Sequence, residues 1–414
     1  MRRLVIIWGC VAAACVCEGR TITVDDDGPA DFNNIQAAIN DANEGDTIIV
    51  AEGRYYENIN FGGKDIVLRS TDPTDSSVVE KTVIDGQFLD SVVMFAGTES
   101  PACMLAGFTI SNGQNRRYVN ASYGGGIYGN GTIATIEHNV ISRNYAVPET
   151  AIGIAYGGGI YDCDGTIRFN VLTKNLVQGD DMGSAWGGGL YGCDGLIEDN
   201  VIVGNDSRGD GGGLWDCQGT IEHNLIVGNY AWDAGGGLGW SDGNIQHNVI
   251  AENSARRGGG LFCCRGAITK CVIWENAPRQ LESSATPTYS CIQDWTGGGV
   301  GNINSDPCFA DPDADDYHLK SQAGRWDANG GRWVMDEVTS LCIDAGDPMS
   351  AIGFEPFPNG GVINMGAYGG TGEASKSYFG GPVCETIVAG DINGDCIVDF
   401  KDFAIMALHW LQGE

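Results

Sequence analysis

The chain is poor in basic residues: 23 lysines and arginines stand against 54 aspartates and glutamates, and the net charge is −31. This acidity argues against nucleic acid or an anionic membrane as a partner, and it counts against a long polyanionic substrate. Beyond the first 20 residues the chain also lacks an apolar run long enough to span a bilayer. We therefore expect no transmembrane segment in the mature protein, and cations as its natural small partners.

Residues 1–19 have the composition of a secretory signal peptide. Arg2 and Arg3 precede an apolar run and then small residues, which is the order typical of cleaved leaders. A lipoprotein leader lipidated at Cys15 is the alternative. Most of the 15 cysteines lie beyond this leader, a content that suits an oxidising compartment. We expect a secreted protein, extracellular or at the cell surface.

Nearly the same phrase occurs six times, as in GGGLWDCQGTIEHNLIVGN from Gly211 to Asn229. The copies begin 33, 30, 24, 24 and 23 residues apart, and periods in this range are typical of stacked repeat proteins. Short stretches of Ile, Leu and Val broken by Asn and Gly predict strands and tight turns, not helices. We therefore predict an all-β parallel β-helix with one coil per repeat, regular over about 121–279. The two longest spacings predict loops at 145–156 and 176–186 that bulge on one side.

Stacking the repeats brings identical residues into columns, and we expect two asparagine columns and one isoleucine column to be buried. An inward Asn can bond the coils above and below it and satisfy buried backbone groups. The columns are Asn139, Asn170, Asn200, Asn224 and Asn248; Asn144, Asn175, Asn205, Asn229, Asn253 and Asn276; and Ile136, Ile167, Ile197, Ile221, Ile245 and Ile268. A cysteine column, Cys163, Cys193, Cys217 and Cys264, fits either disulfides or a ladder of buried thiols.

The two ends of the β-helix differ from its middle. Phe32, Ile35 and Ile39 fall on one helical face before Gly45, which predicts a short helix that caps the open apolar end. At the other end, the segment from SLCIDAGDP to GGTGEAS is expected to close the solenoid. The predicted domains are the β-helix at 20–375, a linker at 376–388 and a separate module at 389–414.

The C-terminal module has the spacing of a calcium loop followed by a helix. Oxygen ligands at positions 1, 3, 5, 7, 9 and 12 of such a loop wrap one Ca²⁺ ion. Those positions are Asp391, Asn393, Asp395, the carbonyl of Ile397, Asp399 and Asp402. Phe400, Phe403, Ala404 and Ala407 then form one apolar helical face. We predict a Ca²⁺ site here; an acidic turn without metal is the alternative.

These motifs resemble known families. Residues of about 21–375, with TVDDDGPADFNNIQAAI, GDTIIV and GRYYENI near their start, resemble secreted right-handed parallel β-helix proteins of the pectin-lyase-like superfamily. The GGGIY and GGGL units also resemble repeats of polymorphic outer-membrane proteins, which are surface proteins. Residues 389–414 resemble one repeat of a dockerin. The resemblances imply a right-handed coil, a polysaccharide ligand, Ca²⁺, and a cohesin-like or surface-anchoring protein partner.

Departures from these families limit what carries over. Dockerins usually have two calcium loops, and one is recognisable here. Their loop position 6 is usually Gly, where this chain has Cys396, and their Ser-Thr pair at positions 10 and 11 is replaced by Phe400 and Lys401. These changes count against a cohesin partner. The catalytic motif series of polygalacturonases, pectate lyases and pectinesterases are not recognisable either.

Two polar columns are candidates for catalysis. Asp199, His223 and His247 precede the first Asn column on consecutive coils, and they could bind a metal or move protons. The alternative is an exposed turn column that tolerates polar residues. Asp194 and Asp216 lie near Asp-Gly turns, where carboxylates on successive coils could act as an acid–base pair. There the alternative is turn preference alone.

An aromatic column adjoins these aspartates and is the candidate carbohydrate surface: Tyr128, Tyr161, Tyr191 and Trp215. If the rings face outward they offer apolar platforms for sugar rings, and if inward they are core packing. The leading hypothesis is a carbohydrate-interacting protein, either a binder or a divergent polysaccharide lyase or glycoside hydrolase. A non-catalytic surface or adhesive scaffold is the alternative.

Overall fold

Three long parallel sheets dominate the computed structural model, which describes residues 19–115, 120–150, 153–179, 184–378, 398 and 400–410. Sheet A has ten strands: Thr21–Val24, Thr47–Val50, Val67–Ser70, Met104–Ala106, Thr135–Glu137, Thr166–Arg168, Leu196–Glu198, Thr220–Glu222, Asn244–Gln246 and Ile268–Thr269. Sheet B has ten: Gly53–Tyr55, Thr82–Asp85, Thr109–Ser111, Val140–Ser142, Val171–Thr173, Val201–Val203, Leu225–Val227, Val249–Ala251, Val272–Trp274 and Cys291–Ile292. Sheet C has nine: Ile59–Asn60, Val93–Met94, Ile127–Thr132, Ile160–Cys163, Leu190–Tyr191, Leu214–Trp215, Leu238–Gly239, Leu261–Phe262 and Leu281–Glu282.

The remaining elements are short. The described helices are α1 (Ile35–Asp41), α2 (Ser76–Lys81), a 3₁₀ turn (Pro312–Ala314) and α3 (Phe400–Trp410). Two small parallel sheets consist of Tyr145–Ala146, Leu176–Val177, Asp206–Ser207 and Tyr230–Ala231, and of Ala121–Tyr123, Ile154–Tyr156 and Ala185–Trp186. Two antiparallel pairs join Phe309–Asp311 with Asp316–Leu319 and Arg325–Asp327 with Arg332–Val334.

Each repeat forms one coil that contributes a strand to each long sheet. Neighbouring coils pair in register, so that Ile197 aligns with Ile167 on one side and with Ile221 on the other. The isoleucine column is buried within one continuous apolar core. The prediction of an all-β parallel β-helix is therefore confirmed.

Both asparagine columns are buried and link the coils, as predicted. The Asn224 amide nitrogen donates to the carbonyls of Ile197 and Glu222, each at 2.8 Å, and to Asn248 Oδ1 at 3.0 Å. Its own side-chain oxygen accepts from the backbone and side-chain nitrogens of Asn200. Each amide thus replaces the regular strand pairing that the chain loses where it turns from sheet A to sheet B.

Helix α1 caps the N-terminal end of the stack, as the sequence predicts. The Asn34 side chain accepts from the backbone N–H of Ala37 at 2.8 Å, which satisfies one of the free donors of the first turn. Ile35 and Ile39 are buried in the main core. The short helix α2 was not predicted from the sequence.

The long insertions form more than bulging loops. Strands within them pair in parallel, with Tyr123 aligned to Tyr156 and Tyr156 to Trp186. Insertions of similar length on successive coils bring their backbones into register, and this pairing extends the stack sideways. The prediction of simple loops at 145–156 and 176–186 is therefore wrong, because both stretches contain short paired strands.

Residues 309–375 follow the regular repeats and cover the outside of sheet B. We call them the C-terminal segment. Outward residues of the sheet, such as Val249 and Val272, are buried against Tyr317, Leu319 and Met365. The stretch from SLCIDAGDP to GGTGEAS was expected to close the end of the solenoid. Met365 and Ala367 of this stretch pack on the outer face of sheet B instead, so the expectation is wrong for them. A strand of sheet B that is apolar on both faces needs a second layer, and the segment supplies it.

The cysteine column is buried in the core, and its members are free thiols. Ser241 fills the gap in the column, and its hydroxyl accepts from the backbone N–H of Cys217 at 3.2 Å. The structure therefore favours the thiol ladder over disulfides at these positions. Among the described residues, no helix is long and apolar enough to cross a membrane.

We predict that Asn224→Leu lowers the free energy of unfolding by roughly 3–5 kcal/mol, because it leaves several buried backbone groups without partners. Thermal and denaturant unfolding measure the loss. Asn244→Leu is the control, since Asn244 is exposed in the neighbouring coil and should change stability by about 0.5 kcal/mol or less. Equal melting temperatures for the two variants would contradict a stabilising Asn ladder.

Candidate functional site

The column containing Asp199, His223 and His247 lies at a tight turn between sheets A and B. The three residues have φ of 53°, 56° and 50°, in the left-handed region where Asp, Asn and His are enriched. The following Asn bonds back to the carbonyl of the preceding strand residue, as Asn224 does to Glu222. The turn thus lifts one side chain per coil out of the stack.

The C-terminal segment converts this turn column into a groove, which we call the acidic groove. Its volume is about 780 Å³. The coils of the stack form one side of the groove, which we call its floor: Phe169, Glu198, Asp199, Asn200, Val201, Glu222, His223 and Leu225. Its wall comes from the segment: Phe354, Ala367, Tyr368, Gly370, Thr371, Gly372 and Glu373. None of these lining residues is Lys or Arg.

The column is a turn, as the alternative interpretation has it, but these three members of it are not exposed. His247 is 4% exposed beneath the C-terminal segment, and Asp199 and His223 are half-buried. No local pattern in the sequence indicates Phe354, Tyr368 or Glu373 as partners of the column. They reach it from more than a hundred residues away in the chain.

Two carboxyl groups of the groove, Asp199 and Glu198, have pKa values raised by burial. Burial raises the pKa of Asp199, and the charge of Glu222 adds to this against a lowering by His223. Burial likewise raises the pKa of Glu198, with Asp199 and Glu222 as its like-charged neighbours. Glu222 accepts a hydrogen bond at 2.6 Å from the side-chain amide of Gln246.

The histidine rings are held in place by the wall. His223 Nδ1 lies 2.9 Å from the carbonyl oxygen of Ala367. Because a carbonyl only accepts, Nδ1 carries the proton, and Nε2 is the acceptor of the neutral ring. The ring stacks on that of His247, with centroids 4.9 Å apart and planes 8° apart. The segment therefore sets the tautomer of His223.

The wall is itself anchored by a charged cluster. The His318 ring stacks on Tyr368 with centroids 3.6 Å apart, and its Nδ1 lies 2.7 Å from Asp316 Oδ1. Its Nε2 lies 3.4 Å from a carboxylate oxygen of Glu373. Arg325 pairs with Asp316 at 3.0 Å. These contacts fix Tyr368 and Glu373 at the edge of the groove.

The second polar column has a structural role in the stack. Asp194 Oδ1 accepts from the backbone N–H of Gln218 at 2.8 Å, and Asp242 Oδ1 accepts from that of Arg265 at 2.7 Å. Asp216 accepts from the Gln218 amide at 2.7 Å. Asp194 and Asp242 thus hydrogen-bond successive coils to one another, whereas the bond from Gln218 to Asp216 stays within one coil.

The aromatic column faces outward, but its rings cover one another. Tyr128, Tyr161 and Tyr191 are half-buried next to fully buried aliphatic residues, whereas Trp215 is 8% exposed. Tyr161 stacks on Tyr128 with centroids 5.6 Å apart and on Tyr191 at 5.8 Å. Tyr156 packs against the same rings from the small outer sheet. A sugar would therefore meet ring edges and hydroxyls here more than open ring faces.

Most of the predicted calcium ligands lie outside the described residues: Asp391, Asn393, Asp395, Ile397 and Asp399. Asp402 is described, is 2% exposed and lies in helix α3, which follows the loop as expected. Phe400 and Phe403 are 88% and 59% exposed, so the expected apolar face of the helix is open to solvent.

A metal ion in the acidic groove is not favoured by the geometry. Within the described part of the chain, the acidic groups whose ligand atoms all come within 4.8 Å of one another are Asp25, Asp26 and Asp27. They lie near the N-terminus, outside the groove. The groove carboxylates and His223 do not form such a group within the described residues.

Comparisons with known proteins give limited matches. Residues 166–346 match a protein family described as "Disaggregatase related"; the match spans less than half of the chain and includes the groove floor but not Phe354 or Glu373. No curated protein matches the chain. Among solved structures, a crystal structure of pectate lyase Pel9A is 15% identical with a TM-score of 0.42, and the match covers 84% of this chain and 96% of that one.

We predict that His247 makes the protein less stable as the pH falls below about 6.5. Burial lowers the pKa of His247 to about 3, whereas the unfolded chain binds that proton near pH 6.5. The unfolding free energy contributed by His247 is therefore fully present above that pH and falls until about pH 3. Between pH 7.5 and 5 the native protein should lose about 2 kcal/mol more than His247→Asn.

Denaturant unfolding at several pH values measures this difference. Asn tolerates the positive φ of the position. His138→Asn is the matched control, because His138 occupies the same turn in an earlier coil with φ of 55°. Parallel pH profiles for the native protein and His247→Asn would show that His247 is not held neutral by burial.

Proposed function

We propose that this protein binds carbohydrate and that the acidic groove is its glycan site. The observation that carries the proposal is an open groove of about 780 Å³ that combines aromatic side chains with convergent polar groups. This volume and this mixed lining are typical of ligand sites in proteins. The match to a family whose description refers to disaggregation fits a protein that works on a polymer.

The chemistry of the lining suits sugar rings. Phe169 and Phe354 are 45% and 85% exposed, and such rings offer flat apolar surface to the C–H faces of a sugar. Carboxylates, the His223 imidazole and the Thr371 hydroxyl line the same groove and are hydrogen-bond partners for sugar hydroxyls. A flat protein surface without such walls would leave a glycan largely hydrated.

The charge of the groove selects among glycans. Four carboxylates line it, those of Glu198, Asp199, Glu222 and Glu373. They outnumber the basic groups beside them, which are Arg168, 3.9 Å from Glu198, and the His318 ring, 3.4 Å from Glu373. Uronate polymers should be repelled, because like charges facing one another across an interface cost free energy. We therefore propose neutral or amino-bearing glycans as the ligand class.

Asp199 favours a hydrolase over a simple binder. A carboxyl group whose pKa is raised by burial is suited to protonate the leaving oxygen of a glycosidic bond. A second carboxylate, Glu222 or Glu373, would take a proton from the attacking water. The bond from the anomeric carbon to the glycosidic oxygen breaks, and that oxygen leaves as a hydroxyl with the proton from Asp199. The oxygen of water bonds to the anomeric carbon as the second carboxylate takes the water proton. Polysaccharide elimination and a non-catalytic adhesive scaffold are the alternatives that the experiment below separates.

The proposal extends to the ends of the chain. Residues 1–19 would direct secretion, and Ca²⁺ would bind at Asp391, Asn393, Asp395, Ile397, Asp399 and Asp402 in a dockerin-like module. That module is a candidate attachment point for a surface-anchoring protein. Its support is the ligand spacing in the sequence together with helix α3.

The glycan proposal predicts retention of the mature protein on a neutral β-glucan or chitosan, and none on polygalacturonate. Phe354→Ser should weaken retention about tenfold, because it removes an exposed aromatic contact. New reducing ends should appear with the native protein and disappear with Asp199→Asn, while retention persists. Affinity electrophoresis and a reducing-end assay measure the two effects.

Two control variants keep this test specific. Met349→Ser alters an equally exposed apolar residue outside the groove, and Asp194→Asn keeps the oxygen that accepts from Gln218. Both should behave as the native protein. Unsaturated products would indicate elimination. Neither retention nor product on any polymer would refute the glycan site and support the scaffold.

The calcium proposal predicts that Asp391→Ala together with Asp395→Ala abolishes Ca²⁺ binding at the C-terminus, since two of the charged oxygen ligands are lost. Isothermal titration calorimetry measures it. Asp25→Ala with Asp27→Ala is the matched control, because those carboxylates form the close acidic group near the N-terminus. Binding that vanished only in the control pair would move the site to the N-terminus.

A further inference from the structure

Glu355 is a buried carboxyl group in the C-terminal segment, next to the exposed Phe354 of the groove wall, and it is 6% exposed. Its Oε1 accepts from the backbone N–H of Asn364 at 2.7 Å and from that of Gly370 at 2.8 Å. The carbonyl of Gly370 in turn accepts from the backbone N–H of Phe354 at 2.8 Å. The other carboxyl oxygen, Oε2, is buried and has no hydrogen-bond partner among the described residues. One oxygen therefore makes both contacts, and the second oxygen is bare.

The two N–H donors stand at the ends of residues 364–370, which we call the wall loop. Because a single oxygen accepts from both ends, Glu355 holds the wall loop closed. Within the loop, the Ala367 carbonyl lies 2.9 Å from Nδ1 of His223, and the Tyr368 ring lines the groove. The shape of the wall and the contact that orients His223 therefore depend on Glu355.

The surroundings of Glu355 disfavour a negative charge. The charged side chain that faces it is Asp344, a second carboxyl group, whose Oδ1 accepts from the Gly360 N–H at 3.1 Å. Burial raises the pKa of Glu355 to about 7; the N–H groups of Asn364 and Gly370 oppose the rise, and the charge of Asp344 adds to it. A bare, ionised oxygen costs free energy in the closed wall, whereas a protonated carboxyl group costs much less.

We propose that Glu355 is a positioning residue of the acidic groove, which holds the wall loop closed while it carries a proton and releases the loop when it ionises. The ionised carboxylate gains hydration once the loop moves away and water reaches Oε2. The consequence for ligand binding rests on the proposed glycan function, whereas the movement of the loop does not.

The pH window follows from the raised pKa. In the open wall Glu355 meets water and has its ordinary pKa of 4.5, and in the closed wall its pKa is about 7. Below the lower value both states are protonated, and the closed wall keeps its full advantage. As the pH rises from 4.5 to about 7 the open state loses its proton first, so the advantage declines, and above about pH 7 the decline is complete.

Hydrogen exchange of the full mature chain tests the loop without a ligand. Mass spectrometry follows the amides of 364–370 at pH 5 and pH 8, corrected for the intrinsic pH dependence of exchange. Protection in the native chain should fall by up to about 70-fold, the ratio that the two pKa values give. Glu355→Gln has the shape of the protonated acid and should keep its protection at both pH values. Amides of 196–198 on the groove floor are the internal reference.

Asp344→Asn is the matched control, because it neutralises the neighbouring carboxyl group and keeps the oxygen that accepts from Gly360. Its wall loop should lose protection as the native loop does. Equal protection of the native loop at both pH values would overturn the proposal, and so would an equal fall in Glu355→Gln. A fall that Asp344→Asn alone removes would assign the proton to Asp344 instead. If Glu355→Gln does not fold, the native chain and Asp344→Asn still decide.

Retention on a neutral β-glucan tests the consequence for the groove, because this polymer does not titrate. From pH 5 to pH 8 the native chain should lose more retention than Glu355→Gln does. Equal losses in the two chains would overturn the role of Glu355 in binding. A pH-dependent wall loop without retention on any polymer would refute the glycan function and leave the role of Glu355 in the wall intact.

Discussion

The hydrogen bonds of the asparagine side chains are the interaction on which the rest of the structure depends. At each turn from sheet A to sheet B the backbone leaves the regular strand pairing, and one amide per coil bonds the coils on either side. Buried backbone groups without partners are costly, and the amide supplies those partners in the regular coils from Asn139 to Asn248. Phe108 and Cys271 occupy the position in the coils on either side. The regular stack follows from it, and so does the position of every side chain next to the turn.

The same turn creates the functional position. The residue before each Asn adopts a positive φ, which lifts its side chain out of the stack. In successive coils this position carries a phenylalanine, an aspartate and two histidines: Phe169, Asp199, His223 and His247. The scaffold therefore sets the spacing between these groups, and their chemistry varies without disturbing the coil.

The covering segment decides what these groups do. It buries the outer face of sheet B, and in doing so it leaves a groove beside the turn column. Burial is responsible for the raised pKa of Asp199 and for the lowered pKa of His247. An open turn would leave both groups hydrated and near their ordinary pKa values. Thus a packing requirement of an apolar sheet also produces the electrostatics of the groove.

The aromatic column shows why outward direction alone does not define a binding surface. The spacing between neighbouring parallel strands is close to the distance between the centres of two stacked aromatic rings. Equivalent tyrosines in successive coils therefore cover one another. Tyr161 is held between Tyr128 and Tyr191 in this way. Phe354 has no such repeat, and its ring remains 85% exposed at the groove.

Features that repeat in the sequence could be predicted from it, because residues that recur at a fixed period lie above one another when the coils stack. The parallel β-helix, the buried Ile and Asn columns, the capping helix and the alignment of Asp199 with His223 all follow from the period and from local residue preferences. The groove could not be predicted, since Phe354, Tyr368 and Glu373 lie in a stretch without repeat and reach the column only through tertiary packing. Burial and pKa depend on that packing, because they are properties of groups brought together from distant parts of the chain.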